Sequence, residues 1–392
     1  MRVVYYTHPA FLEPALHLTR ELGSRVELHL LIEVGPAAWQ SAAFDVSRRH
    51  LDAGLVDADA ILRDVFPPPV REYWRPAASV QLVVHDQPRS IHPASFRVGR
   101  EFMRLVRQLQ PDVVHVDDTD VSLRLALVAS GLDDFPVVVS VHDPTPHSGE
   151  GNWRKTLSRR LIYPRAERFI VHSESLLQPF AARSRLSPGL ISAIRLGPYE
   201  IYRAWAERPI ERDEKMVLLF GRLSSYKGLD VMASAAQSVA ERIPGLRVVV
   251  AGQPVSGYQP PQSANLVRGG RFEVRAGYLA NADLTELVRR SAFVVCPYLD
   301  GSQSGVVLTA FGLDRTVVAS AVGGLPEYVA DGQTGLLVPP GDAPALAGAL
   351  EELLTDSGRR SMLEEGVRAI DGPTTWAEAA NRTIAVYRAA SS

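Results

Sequence analysis

The sequence predicts an α/β protein of two doubly wound domains, each a largely parallel sheet with helices on both faces, facing one another across a cleft. Three observations carry that expectation. Short, continuous apolar runs rich in β-branched residues recur along the chain, each followed by a segment of helical period, as in sheets buried on both sides. The pattern restarts near Lys215, after a charged, aromatic and aperiodic stretch at 199–214 that reads as a linker. The length of 392 residues suits two domains.

The elements follow in order. Residues 2–6 form a strand candidate, and Leu12, Leu16, Thr19 and Leu22 mark an amphipathic helix. Strands are predicted at 26–32, 80–84, 111–116, 137–141 and 169–172, with helical period at 102–109 and 123–129. The region 36–79 is poorly periodic and reads as helical insertion and loop. In the second half strands are predicted at 215–220, 246–252, 274–277, 293–297, 316–320 and 334–338. Helices are predicted there at 228–242, 282–290, 306–313 and 343–355. A last helix, 375–390, opens on Thr374 or Thr375 as N-cap. The expected domains are 1–200 and 201–374, with the helix in 375–392 packing back onto the first.

Composition excludes several classes. Lys and Arg total 42 against 44 Asp and Glu, so no basic surplus supports nucleic-acid binding. A hydrophobic fraction of 46% excludes a disordered chain. Cys296 is the single cysteine and can form no internal disulfide. No apolar run reaches the roughly 18 residues of a membrane span. The apolar start at 1–6 is broken by Thr7-His8-Pro9 and Glu13-Pro14, which does not fit a secretory signal. A cytoplasmic location is expected.

Chemistry concentrates at strand ends. Phe220-Gly221-Arg222-Leu223-Ser224-Ser225-Tyr226-Lys227-Gly228 leaves a strand and opens a helix. Its glycines let the backbone approach a ligand, while Arg222, Lys227 and the helix start can converge on an anion such as a diphosphate. The bland alternative is a β–α turn with solvated charges. A second strand-to-helix loop contains Asp300, Gly301, Ser302, Gln303, Ser304, Gly305 and Val306. It supplies free amides and one carboxylate suited to sugar hydroxyls. A third, 320–327, carries Gly323, Gly324 and Glu327, where the alternative role of Glu327 is a backbone cap. Ligands of open α/β sheets bind at this edge, so the loops should converge.

These residues carry a resemblance. Gly221-Arg222-Leu223 with Lys227-Gly228, then Val317-Val318-Ala319-Ser320, Gly323-Gly324-Leu325-Pro326-Glu327, Asp331-Gly332 and Thr334-Gly335-Leu336-Leu337-Val338 resemble family 4 of the retaining glycosyltransferases. The resemblance implies the GT-B fold, in which a first, acceptor-side Rossmann-like domain and a second, donor-binding one flank the active site. It is strong over about 215–354 and thinner before. It implies that Arg222 and Lys227 bind the donor diphosphate and stabilise it as leaving group, with no metal and no cofactor needed. The family's Glu-x7-Glu pair is absent: the positions fall on Gly301, with Asp300 beside it, and on Thr309, which can still hydrogen-bond a ribose hydroxyl. Gln253 and Tyr278-Leu279 are expected near the base.

In the first half, His142 ends a strand and is similar to the family's cleft histidine, which contacts the donor sugar; the alternative is a core histidine. His147 and His8 are weaker candidates, and Thr7-His8-Pro9-Ala10-Phe11 replaces the family's glycine-rich first loop. Asp117, Asp118 and Asp120 lack metal-ligand spacing with His partners, and no metal cluster is evident. Ser173 and Ser175 sit in no nucleophile elbow. The basic stretch 153–168, with Leu157, Leu161 and Ile162 on one side, fits either a solvated helix face or peripheral contact with an anionic membrane at the inner face. The expected activity is transfer of a sugar from a nucleotide-diphosphate donor to a hydroxyl of a glycan, a lipid-linked sugar or a small molecule. A nucleotide-sugar epimerase and a catalytically silent nucleotide-sugar binder are the alternatives; a periplasmic-type binding protein would need an export signal.

Overall fold

The computed structural model describes residues 1–36, 51–117, 124–127, 129–144, 153–206 and 208–392. They fall into two compact units. The first holds Met1–Pro144, the described residues up to Leu196, and Thr375–Ser392; the second holds Gly197–Thr374. Each is a Rossmann-like domain.

The sheet of the first unit contains β1 (Arg2–Thr7), β2 (Glu27–Val34), β3 (Gly54–Asp57), β4 (Ser79–Val84), β5 (Val113–Asp117), β6 (Val137–Val141), β7 (Ala166–Val171) and β8 (Ile191–Ala193). Their order is β3-β4-β2-β1-β5-β6-β7-β8, parallel throughout except for the β3–β4 pair. The continuous apolar runs are buried as their lack of alternation requires, with Val3, Val4, Val113, Val114, Val137 and Val138 all at 0% exposure. Helix α1 (Leu12–Gly23) buries Leu12, Leu16, Thr19 and Leu22, the stripe visible in the sequence. The expectation for 36–79 is corrected by β3, followed by α2 (Asp59–Val65). A four-residue edge strand pairing antiparallel with β4 is too short to show a period of its own. The predicted 102–109 helix is longer, α3 (Pro93–Leu109), because Pro93 starts it and His92 caps the Ala94 amide. Within 123–129 the described helix is α4 (Arg124–Leu127). Helices α5 (Trp153–Ile162) and α6 (Leu177–Ser184) complete this part of the chain.

The second unit has seven strands: β9 (Asp213–Phe220), β10 (Arg247–Gly252), β11 (Ala264–Asn265), β12 (Arg271–Ala276), β13 (Ser291–Cys296), β14 (Val317–Ser320) and β15 (Gly335–Val338). Their order is β11-β12-β10-β9-β13-β14-β15, again parallel apart from the short β11. Its helices are α7 (Leu229–Ala240), α8 (Asn281–Arg290), α9 (Gly305–Gly312), α10 (Leu325–Tyr328), α11 (Ala343–Thr355) and α12 (Ser357–Arg368). One core joins Val217, Leu219, Val248, Val250 and Phe293 to Met232 of α7 and Leu350 of α11. The stretch read as a linker is instead part of this unit. Residues Glu200–Trp205 form a 3-10 helix, Tyr199 N–H donates to the Leu308 carbonyl (2.9 Å), and Arg203 Nε to that of Gly312 (2.7 Å). Its charged and aromatic residues serve packing, so no helical or strand period appears.

The C-terminal helix α13 (Trp376–Ala390) belongs to the first unit. Thr375 caps it by accepting from the Glu378 amide (3.3 Å). Trp376 stacks on His17 of α1 (centroids 4.9 Å), and the Tyr387 hydroxyl lies 2.5 Å from Nδ1 of His115 in β5. Among the described residues no helix is long and apolar enough to cross a membrane.

In both sheets the winding direction reverses once near the middle, between β1 and β5 and between β9 and β13. Such switch points leave a crevice beyond the strands' carboxyl ends, where ligands of open α/β sheets bind.

Candidate functional site

The switch point of the second unit is formed by the two loops singled out above. Gly221 turns out of β9 at φ 107°, and its amide donates to the Ala251 carbonyl (3.1 Å). The chain runs through Ser224 and the turn Ser225–Lys227 to Gly228, at φ 67°. A Cβ on Gly228 would lie 1.9 Å from the Pro297 carbonyl oxygen, so glycine alone lets these two loops touch. The Leu299 amide then donates to the Tyr226 carbonyl (2.7 Å). The third loop joins in the same way. Gly323 sits at φ 55° with its Cβ position 1.6 Å from the Gly301 carbonyl oxygen, and the Gly324 amide donates to the Ser302 carbonyl (3.1 Å). On the other side, the Leu223 amide donates to the carbonyl of exposed Gln253 (2.9 Å), and that of Gly277 to Gly252 (2.9 Å). The second bond places Tyr278, 44% exposed, and half-buried Leu279 beside the Gly252 turn.

The charges of this edge are arranged unequally. Arg222 is exposed, whereas Lys227 is 7% exposed with its ammonium 3.8 Å above the Tyr298 ring and 5.1 Å from that of Tyr226. A desolvated ammonium over two aromatic faces is held by the ring quadrupoles, worth about 2 kcal/mol or more. Burial raises the Tyr298 phenol well above its ordinary value, so the ring stays neutral. Burial likewise pushes the Cys296 thiol up to about 11 despite nearby Lys227, which makes it an unreactive core group. Helix α9 begins beside the lysine loop. Ser304 caps it, accepting from the Val307 amide (3.3 Å), and lies 3.2 Å from the Tyr298 hydroxyl. The amides of Gly305 and Val306 belong to the first turn, where a helix start offers N–H groups to an anion. Two buried polar atoms, Oγ of Ser224 and Oε1 of Gln303, find no hydrogen-bond partner among the described residues.

The structure therefore brings Gly221, Arg222, Lys227, Asp300, Ser302, Gln303, Ser304, Gly305 and Val306 onto one set of mutually bonded loops. Asp300 is half-buried beside Gly301. Glu327 lies half-buried in α10, and its amide donates to the Gly324 carbonyl (3.0 Å). Thr309 is 3% exposed inside α9, whose residues 306–312 are all buried. Tyr298 was not anticipated; its signal was an aromatic residue two positions after a strand and seven before a helix.

The switch point of the first unit is a cluster of rings. His142, 2% exposed, follows β6 with its Nε2 3.2 Å from Oδ1 of Asp117, itself 2% exposed at the end of β5. Tyr5 of β1 donates its hydroxyl to the same oxygen (3.0 Å). Phe11 stacks on the His142 ring (3.9 Å, 16°), and His172 packs against it at 4.5 Å. Burial alone would raise the Asp117 carboxyl, but the hydrogen bond and charge interaction with His142 hold it below its ordinary value. Burial pushes His172 down to about 3 and His115 to about 4, so both remain neutral. The sequence places His142 at a strand end free to donate to substrate; the structure instead engages its Nε2 with Asp117. His8 packs its ring on Phe11 (4.7 Å). His147, Asp118 and Asp120 lie outside the described residues. Asp117 is the functional candidate that sequence reasoning set aside, and its signal was a carboxylate closing an otherwise apolar strand.

Two family models match the chain, one for glycosyltransferase family 4 over residues 15–197 and one for glycosyl transferases group 1 over 214–356. Among curated proteins, the D-inositol 3-phosphate glycosyltransferase of Corynebacterium aurimucosum is 31% identical over 266 residues, 64% of this chain and 63% of that protein. The matched stretch thus spans somewhat under two thirds of that relative. A glycogen synthase of Mycobacterium tuberculosis is 27% identical over 312 residues, 76% of this chain and 74% of its own. Among solved structures, Anabaena Alr3699/HepE in complex with UDP and glucose aligns over 98% of both chains with a TM-score of 0.63 and 16% identity, a likeness of fold.

Proposed function

From the premise that this chain belongs to the group 1, family 4 glycosyltransferases, the family matched along both of its halves, we propose that it transfers a sugar from a nucleotide-diphosphate donor to an acceptor hydroxyl, with retention at the anomeric carbon. One observation carries the reading. Three loops of the second unit are locked together by glycine contacts and backbone hydrogen bonds around a buried lysine and a helix start. That arrangement suits a departing diphosphate. As the glycosidic bond to phosphate breaks, negative charge grows on the leaving group, and fixed cations and amides stabilise it without reorganising. In this reading Lys227, Arg222 and the first amides of α9 bind the diphosphate, and the cations do there what a metal ion does elsewhere. Asp300, Ser302 and Gln303 offer acceptors and donors to sugar hydroxyls, while Gln253, Tyr278 and Leu279 line the approach of the base. His142 contributes from the first unit by hydrogen bonding to a substrate hydroxyl.

The test combines a thermal-shift screen of nucleoside diphosphates and their sugars with a donor-consumption assay run with and without acceptor. Ligand binding to the folded state raises the melting temperature by mass action, so the correct base stands out. Consumption that depends on acceptor supports transfer. Consumption without acceptor points to epimerisation or hydrolysis, and binding without consumption to a silent binder.

A second proposal concerns the acceptor's location. Along α5, Trp153 is 64% exposed and Leu157 and Leu161 are 37% exposed each, at four-residue spacing on one helix face. The helix contains Arg154, Lys155, Arg159 and Arg160 and no acidic residue. An apolar stripe beside cations fits the surface of an anionic bilayer, where a lipid-linked acceptor would be presented. Co-sedimentation with vesicles containing anionic lipid should exceed that with neutral vesicles, and Trp153→Ser should remove the difference. Equal sedimentation on both would reject the proposal.

A further inference from the structure

We infer that Asp117 is a positioning residue for His142, fixing its imidazole as the Nε2–H tautomer so that Nδ1 is the nitrogen left to accept from a substrate hydroxyl; this rests on the transferase reading. The pair is built deliberately in physical terms. Asp117 closes β5 at the switch point of the first sheet, beside β1 and β6. Its carboxyl is held below the ordinary value in spite of complete burial, so it is an anion and can only accept. Nε2 of His142, 3.2 Å away, must then carry the proton. Oδ1 of Asp117 also accepts from the Tyr5 hydroxyl (3.0 Å), which fixes the carboxylate from a second strand.

The rest of the cluster narrows what His142 can do. Phe11 lies flat on its ring at 3.9 Å, which sets the ring plane. His172 turns Nδ1 to the Ile194 carbonyl (3.0 Å), and His115 uses both nitrogens, towards Tyr387 (2.5 Å) and Ser140 (2.8 Å). Nδ1 of His142 is buried and has no hydrogen-bond partner among the described residues. A buried ring nitrogen without a partner calls for an explanation, and a role toward a ligand is one. A neutral Nε2–H imidazole presents a lone pair at Nδ1 and no donor there. When its imidazole holds that single proton, His142 accepts from a hydroxyl, where a free imidazole could equally donate to it.

The test reads the tautomer directly. Long-range proton–nitrogen correlation spectra of the chain labelled at its ten histidines, assigned with His142→Ala, should show His142 as Nε2–H. Asp117→Asn, which removes the charge and introduces an amide donor, should give a mixture with the Nδ1–H form. Turnover should fall about tenfold, the loss expected when a hydrogen bond between a substrate hydroxyl and a buried acceptor is left unmade. Tyr5→Phe removes a neutral bond to Asp117 but leaves its charge, so it should keep the tautomer and lose less turnover than Asp117→Asn. If wild-type His142 is Nδ1–H, or carries a proton on both nitrogens at the pH of the assay, the inference is wrong whatever the variants do. Equal losses in Asp117→Asn and Tyr5→Phe with an unchanged tautomer would make Asp117 merely structural. Absence of transfer with every nucleotide sugar would sink the transferase reading alone, since the spectra need no activity.

Discussion

Replacing Gly323 by alanine should loosen the donor-side loops by an amount that the geometry sets. The residue sits at φ 55°, a left-handed conformation that costs a non-glycine residue about 1–2 kcal/mol. Its Cβ would start 1.6 Å from the Gly301 carbonyl oxygen, where ordinary contact begins at 3.4 Å. The loops must therefore part by roughly 1.8 Å, the difference between those distances. That separation stretches the Gly324-to-Ser302 hydrogen bond from 3.1 Å beyond bonding range, a further loss of about 1 kcal/mol. A total near 2–3 kcal/mol is a fraction of ordinary domain stability, so the fold survives. For a unit of this size each kcal/mol lowers Tm by about 2–4 °C, giving a drop of roughly 5–10 °C. Calorimetry should show that drop, and nucleoside-diphosphate affinity should fall with it, because the loop carrying Ser302 and Gln303 moves. Gly348→Ala is the control of opposite sign. Gly348 lies inside α11 with nothing within 4 Å of its Cβ position, so alanine there should stabilise by about 0.5–1 kcal/mol. A Gly323→Ala chain with wild-type Tm and wild-type nucleotide affinity would refute the interlocked-loop account.

Other consequences can be measured independently. Lys227→Ala and Arg222→Ala should each lower turnover about 10²–10³-fold while the circular dichroism spectrum is unchanged; near-full turnover in both would remove them from the leaving-group site. Tyr298→Phe keeps the ring 3.8 Å beneath the Lys227 ammonium and should retain most activity, whereas Tyr298→Leu should not, so equal steady-state rates in the two would dismiss the cation–π contact. Acidification should weaken the first unit selectively. Burial pushes His17 and His172 to about 3 and His85 and His115 to about 4, against 6.5 in the unfolded chain. Near pH 5 the unfolded state thus binds close to four more protons, and stability falls as pH falls, by at most about 5 kcal/mol per pH unit there. Urea midpoints of the first unit's transition that stay flat from pH 7 to 5 would contradict this.

The two halves of the molecule differ in how openly their sequences declare what they do, for a physical reason. In the second unit the ligand-facing groups are the loops themselves. Gly221, Arg222, Lys227 and Gly228 lie within eight residues, and the glycines are required where backbones touch, so a local pattern reports a local geometry. The short edge strand β3, the helix α12 and the 3-10 helix at Glu200–Trp205 were illegible because pairing and packing, not period, define them. In the first unit the site is assembled from contacts that no window spans: Tyr5 and Asp117 are 112 positions apart, and Asp117 and His142 are 25 apart. Composition held a clue of a different kind. All ten histidines precede residue 173, so the second unit's described chain has none and manages charge with permanently ionised arginine and lysine. The first unit concentrates groups whose charge depends on their surroundings. That division suits the proposed chemistry, in which one unit must hold a diphosphate of fixed charge and the other must orient a hydroxyl through Nδ1 of an imidazole whose proton Asp117 holds at Nε2.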